Sequence, residues 1–284
     1  MSTAESSLPV FKKPPVVETV LGVQFDPVPG FSNAHLGAFW KWLLAHEESS
    51  SAKRWKKLAD APPIELAFER FEESQSWSPS ELMVRVAAFP PARLQIRNDA
   101  MDAMIQVQNT RFHYNWIGQQ GQDYSRYARV RPAFDSLYEQ FRAFLREEQL
   151  GDPKENQWEI TYVNNIPKGT VWTAPNDWAS LFVGLPGPWV GPPDVELEGA
   201  GGSWHFKIAP DRGRLHIDLK HARIDGPAPR EVLRLNLTAR GPVGDHSAAG
   251  TSLSDGLDLG RRVVVTTFTC ITSVQAHRFW ERIQ

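Results

Sequence analysis

One cysteine, four methionines and five tyrosines in 284 residues rule out several common chemistries at the outset. A lone Cys270 closes no internal disulfide and builds neither a paired-cysteine redox centre nor a thiolate cage for zinc; its place in an apolar repeat near the end of the chain reads as a buried thiol. No apolar run approaches the roughly twenty residues that a membrane span needs. Met1 to Pro9 has no basic stretch leading into an apolar core, so the expectation is a cytoplasmic protein with no secretory leader and no membrane partner. An excess of one charge is missing too. Thirty-one Lys and Arg against 33 Asp and Glu give a net charge of −2, without the global electrostatic footprint of a nucleic-acid binder. The longest basic cluster, Lys53-Arg54-Trp55-Lys56-Lys57, reads as the solvated face of a helix. Phosphate loops, nucleophile elbows and zinc-ligand spacings are absent, so neither a cofactor nor a catalytic residue is expected.

What the chain does have is apolar mass in alternating and helical rhythms. Hydrophobic residues make up 41%, with 11 Trp and 15 Phe, enough for a sizeable core. The strongest pattern lies in the second half. There Trp204, Phe206 and Ile208 alternate with His205 and Lys207; Leu215, Ile217 and Leu219 with Arg214, His216 and Asp218; Leu233, Leu235 and Leu237 with Arg234 and Asn236. That period of two requires a sheet with one polar face, and Pro210 to Gly213 supplies a turn for an antiparallel hairpin.

The order of elements occurs twice. In the first half an extended run from Val16 to Phe25 precedes a helix around Leu36, Phe39, Trp40, Leu43 and Leu44. Alternating runs follow at Leu82 to Ala88, Leu94 to Ile96 and Met104 to Trp116, then a long helix with Phe134, Leu137, Tyr138, Phe141 and Leu145 at spacings of three and four. In the second half a run from Trp158 to Val163, a short helical segment near Trp178, Leu181 and Phe182, and the three strands above lead to a terminal helix expected from Thr267 onward. Arg93-Leu94-Gln95-Ile96 matches Arg214-Leu215-His216-Ile217, and Glu18 matches Glu159, at different offsets, which points to a diverged duplication and not a short-period array. The fold class expected is therefore α+β: two β-α-β-β-β-α halves, each a mainly antiparallel sheet with helices on one face. The boundaries expected are a flexible arm over 1–13 and halves over 14–152 and 153–284. The Pro- and Gly-rich stretches Leu185 to Ser203, which contains Trp189, and Gly241 to Gly256 read as long loops.

Several segments carry a resemblance. Lys13-Pro14-Pro15-Val16-Val17-Glu18, Ile105-Gln106-Val107-Gln108, Arg111-Phe112, Asn115-Trp116, Tyr124, Tyr127, Tyr162-Val163-Asn164 and the closing Phe268, Phe279 and Trp280 together resemble an uncharacterised bacterial family described as sporadically distributed. The resemblance spans nearly the whole chain, and it implies no particular activity, because members of that family have none established. The chain departs from the pattern in the β-branched Val263-Val264-Val265 and in its Pro/Gly-rich insert.

Candidate binding residues follow from the matched stretch: Gln106, Gln108, Arg111, Asn115, Trp116, Tyr124 and Tyr127 combine amides, a guanidinium and aromatic rings, the types enriched where few contacts carry most of a binding energy. Gln106 and Gln108 share one face of a strand, positioned either to grip a backbone or polar ligand or simply to solvate the outer face or ladder with a neighbouring strand. Trp116 and the tyrosines serve equally to pin a helix to the sheet. Glu18 faces water, or is buried beside Arg97 or Arg111, or stands alone with a raised pKa as a general acid or base. His205, His216 and Asp218 share the polar face of the hairpin, where a metal is the alternative to plain solvation. The leading functional expectation is a non-catalytic interaction or scaffold protein whose partner is a protein encoded nearby. The alternatives are a small-molecule binder with a helix-grip-like cavity, an enzyme with a dispersed site, and a saddle-like nucleic-acid binder similar to the TATA-binding fold in topology only.

Overall fold

The computed structural model describes residues 8–46, 55–64, 92–119, 123–185, 195, 197–208, 211–225, 229–244, 247 and 250–284. In chain order the strands are β1 (Val16–Phe25), β2 (Trp55–Ala61), β3 (Arg93–Asn98), β4 (Ala103–Gln108), β5 (Arg111–Ile117), β6 (Glu155–Pro167), β7 (Gly201–Ile208), β8 (Gly213–Ile224) and β9 (Arg230–Pro242). The helices are α1 (Asn33–Ala45), α2 (Tyr127–Glu147), the short α3 (Trp178–Leu181), α4 (Leu253–Ile271) and α5 (Val274–Phe279). All nine strands form one continuous sheet in the order β2-β3-β4-β5-β1-β6-β9-β8-β7, antiparallel at every pairing.

The expected α+β class holds, with the sheet at its centre. Its apolar side is the alternating set Leu21, Val23, Ile96, Ile105, Phe112, Ile160, Ile217, Leu235 and Leu237, all fully buried. Against the first part of this side α2 lays Phe134, Tyr138 and Phe141, with Phe141 stacked on Phe112 at 5.4 Å between ring centres, and α1 adds Phe39 edge-on to Phe141 at 5.2 Å. Against β6 and β9 packs α4. Such aromatic pairs bring area and fixed geometry together, which is why this sequence places so many Phe here. At the end of the chain Phe11 packs edge-on against the touching Phe268 and Trp280 rings, and Val10 exchanges backbone hydrogen bonds with Ile283 and Gln284. The arm expected to be flexible through residue 13 is thus docked from Val10 onward.

Several local expectations are corrected. The single run from Met104 to Trp116 is two strands, β4 and β5, joined by a tight turn at Asn109 and Thr110. Trp55 to Lys57 lies in strand β2, not on a helix, and Trp55 is buried with its carbonyl accepting from the Trp40 indole at 2.7 Å. The last long helix begins at Leu253, well before Thr267, where Ser252 caps it by accepting from the Asp255 backbone at 3.1 Å. Cys270 is exposed. The expected strand at Leu82 to Ala88, Lys53, Arg54 and Trp189 lie outside the described residues.

Candidate functional site

Register fixes which side chains share the side of the sheet opposite the described helices. One row crosses all nine strands: Lys207, Arg214, Arg240, Glu159, Gly22, His113, Gln106, Gln95 and Ala59. The next row carries His205, His216, Thr238, Thr161, Val20, Asn115, Met104 and Arg97. Polar residues dominate this side because a period of two places every second residue there. It is exposed along β7 and at Lys220 and Arg234, half-buried over most of β8 and β9 with His216 buried, and buried over β4, β5 and β1, where Gln106, Gln108, Arg111, His113, Asn115 and Gln24 are each at most 7% exposed.

The buried part is held by amides. Gln106 Oε1 accepts from Arg93 Nη1 at 2.9 Å and Gln95 Nε2 at 3.1 Å, Gln106 Nε2 donates to Asn115 Oδ1 at 2.9 Å, and Asn115 Nδ2 donates to Glu18 Oε1 at 2.6 Å. Four strands are thereby linked in one donor-to-acceptor chain that starts at a guanidinium and ends at a carboxylate, the direction in which each bond polarises the next. Gln108 grips a backbone: its Oε1 accepts from Ile64 N at 3.0 Å and its Nε2 donates to Ile64 O at 2.9 Å and to Thr110 Oγ1 at 2.9 Å. Two of the roles weighed for the paired glutamines, the backbone grip and the ladder, are therefore filled within the chain. Of the alternatives open for Glu18, facing water, pairing with Arg97 or Arg111, or standing alone, none describes what is found: it accepts from Asn115.

Arg111 turns instead to Glu159, at 3.4 Å, which also faces Arg240 at 3.8 Å and the His113 ring at 4.0 Å. Burial is the main cause that pushes His113 down from 6.5 to about 4; Arg111 and Arg93 push the same way and Glu159 opposes them. His113 is therefore a neutral imidazole at neutral pH. Its Nε2, Gln24 Oε1 and Gln157 Nε2 are buried without a hydrogen-bond partner among the described residues, on neighbouring strands of the same side. His113, Glu159, Gln24 and Gln157 were absent from the sequence candidates. His113 was legible, being two residues from both Arg111 and Asn115, whereas Glu159 joins them only through the long-range pairing of β1 with β6.

The sheet separates the candidate residues into two groups. Gln106, Gln108, Arg111 and Asn115 stand on the polar side; Trp116, one residue on from Asn115, points to the other, where its ring meets Tyr124 edge-on at 5.2 Å. Tyr127 opens α2 and donates its hydroxyl to Asp258 on α4 at 2.7 Å, while Arg131 donates back to it at 3.0 Å and Arg261 lies over its ring. Burial pushes the Tyr124 and Tyr127 hydroxyls up. Trp116 and Tyr124 also line a groove of about 410 Å³ at the end of the sheet where β1 begins, together with Lys12, Gln119, Asp123 and Arg230.

On the open side, His205 Nδ1 and His216 Nδ1 lie 2.6 Å apart, so one ring donates to the other, and Asp218 accepts from the Ser203 hydroxyl. The three groups weighed as a metal set are thus engaged pairwise. Among the described residues no cluster of three or more His, Cys, Asp or Glu side chains is arranged to hold a metal ion. No described helix is long and apolar enough to cross a membrane. A comparison with protein-family models finds no match, and a comparison with curated protein sequences finds no significant one.

Proposed function

We propose that the protein is a non-catalytic interaction protein that presents the polar side of its sheet, opposite the described helices and over β7 to β9, to a protein partner. The observation that carries this reading is the contrast along one surface: the same polar side is buried and cross-linked by the Gln106, Gln108 and Asn115 amides over β4 and β5, but exposes Ser203, His205, Lys207, Lys220 and Arg234 beyond β6. Satisfied amides rigidify the closed part, and a rigid platform presents the open part with little ordering cost on binding. The test is a photo-crosslinking residue at Thr238 on the open side and, separately, at Arg262 on the outer surface of α4, in the cells that make the protein. Capture of the same protein from Thr238 and not from Arg262 is expected; equal capture from both positions, or capture from Arg262 alone, sinks the reading.

The diverged duplication, with halves over 14–152 and 153–284 and the suspected family membership, belongs to the same proposal. Its support is the strand order: β5, β4 and β3 run outward from β1 as β9, β8 and β7 do from β6, and α2 and α4 close the respective halves. Val20 faces Thr161 across the β1–β6 pair, and Glu18 and Glu159 each lie two residues before these, so a local twofold axis there exchanges the two acids. The second reading, a small-molecule binder, rests on the groove beside Trp116 and Tyr124 and not on a helix-grip cavity, because Phe112, Phe134 and Phe141 fill the space between α2 and the sheet. A ligand of that groove raises thermal stability in a screen and loses its effect in Arg230→Ala.

A further inference from the structure

We propose that the outer edge of β7 accepts an extended segment of the protein partner, in which acidic and apolar residues alternate, as an added strand; this rests on the interaction reading above and names the partner's chemistry. Among the described residues nothing pairs with that edge: β7 ends the strand order, contains no proline, and is exposed along most of its length. A strand edge offers a row of backbone donors and acceptors that a second extended chain completes.

The side chains of β7 specify what that chain must be. On the polar side, Lys207 stands in register with Arg214 and then Arg240, so three neighbouring strands carry cations in one row, the innermost of them facing Glu159 at 3.8 Å; three rows further along, Lys220 and Arg234 form a second cationic pair, and Asp218 between the two rows is already bound to Ser203. Lys207 lies at the very edge and is exposed. On the other side, Phe206 is 48% exposed although its register partner Leu215 is buried, which leaves half of a ring bare beside an open edge. An incoming strand has the same period of two, so it meets Lys207 and His205 with one set of side chains and Phe206 with the other. Acid on the first set and aliphatic residues on the second satisfy both. A cationic strand is rejected by Lys207, which makes the edge selective and not merely sticky.

Other occupants fit less well. A second copy joined through β7 would set two cationic rows on the same side of one sheet. A nucleic acid would be held by the polar side alone, where the described residues of β7, β8 and β9 include no Trp, Tyr or Phe on which a base could stack, and it would leave Phe206 uncovered.

The experiment uses the full chain and a fluorescein-labelled peptide of four Glu-Val repeats, with a Lys-Val peptide and a backbone N-methylated Glu-Val peptide as controls, read by anisotropy and by amide exchange over residues 201–208. The Glu-Val peptide is expected to bind and to slow exchange in β7. Both Lys207→Glu and N-methylation are expected to weaken it by about tenfold or more, and Lys207→Glu to admit the Lys-Val peptide. No binding, equal binding of the N-methylated peptide, protection of β7 by poly(dT), or β7 protection through self-association without peptide each overturns the proposal. Failure here with selective crosslinking still obtained from Thr238 removes the edge and keeps the face; loss of that crosslinking with the peptide still bound to β7 does the reverse.

Discussion

His113 fills the space that a side chain at Gly22 would need. The two residues face each other across the β1–β5 pair, and a Cβ at Gly22 would lie 2.3 Å from the imidazole Cδ2. With the ring fully enclosed, it has nowhere to withdraw to. Gly22→Ala should therefore cost about 1–3 kcal/mol, the usual range for overpacking, and most of that cost should vanish when His113→Ala is added. Urea unfolding of the two single variants and the double gives the coupling; additive costs would mean that the contact is not what excludes the methyl group.

The same ring sets a pH dependence. In the unfolded chain a histidine titrates near 6.5, and in the fold His113 is pushed down to about 4, chiefly by burial, with Arg111 and Arg93 reinforcing and Glu159 opposing. Between these values the unfolded chain binds the extra proton. The contribution is thus complete above about pH 6.5 and is lost as the pH falls toward 4, to a total of about 3 kcal/mol. A His113→Asn variant should show a loss between pH 7 and pH 4 that is smaller by roughly that amount. An unchanged slope would assign the acid sensitivity elsewhere, His277 being a second histidine whose pKa burial lowers.

Exposed amides would make Gln106→Ala and Gln108→Ala nearly silent, but both side chains are buried and bonded at each end. Removing Gln108 strands the N–H and C=O of Ile64, and removing Gln106 strands Asn115 Oδ1 and two donors on β3. Each substitution should cost about 1–3 kcal/mol. Trp116→Ala, which empties a nearly enclosed ring site against Tyr124, should cost about 3–5 kcal/mol. Chemical denaturation decides; a change within about 0.5 kcal/mol for either glutamine would show that water replaces its partners freely.

The sheet was legible wherever one side is apolar, since Leu215, Ile217 and Leu219 admit no other rhythm, and α2 was legible from Phe134, Tyr138 and Phe141. The candidate site was legible only as a list of side chains. Asn115 and Trp116 are adjacent in sequence and lie on opposite sides of the sheet, a consequence of strand periodicity that separates the seven residues into two groups. Glu159 could not be joined to Arg111 from sequence, because the register of β1 on β6 is set by distant packing. The start of α4 was missed although Ser252 and Asp255 have the spacing of a helix cap, since the Gly-, Ser- and Asp-rich stretch up to Gly256 reads as loop.

Those two glycines are in the helix for a tertiary reason, which reverses the usual sign of a substitution. Glycine in a helix interior ordinarily costs about 1 kcal/mol relative to alanine, so Gly256→Ala or Gly260→Ala would be expected to stabilise α4. Here the indole of Trp158 lies against that stretch: a Cβ at Gly256 would lie 2.2 Å from Trp158 Cδ1, and one at Gly260 would lie 2.7 Å from Trp158 Cζ3 and 2.5 Å from Ile160 Cγ2. Trp158 is fully buried on β6, so it has no room to retreat, and the overpacking cost of about 1–3 kcal/mol outweighs the gain in propensity. Each alanine should therefore destabilise the protein in urea unfolding. In a Trp158→Ala background, itself destabilised, Gly256→Ala should instead become neutral or stabilising, because the ring atoms it met, from Cγ outward, are gone. If Gly256→Ala raised stability with Trp158 intact, the helix would not be seated on that ring.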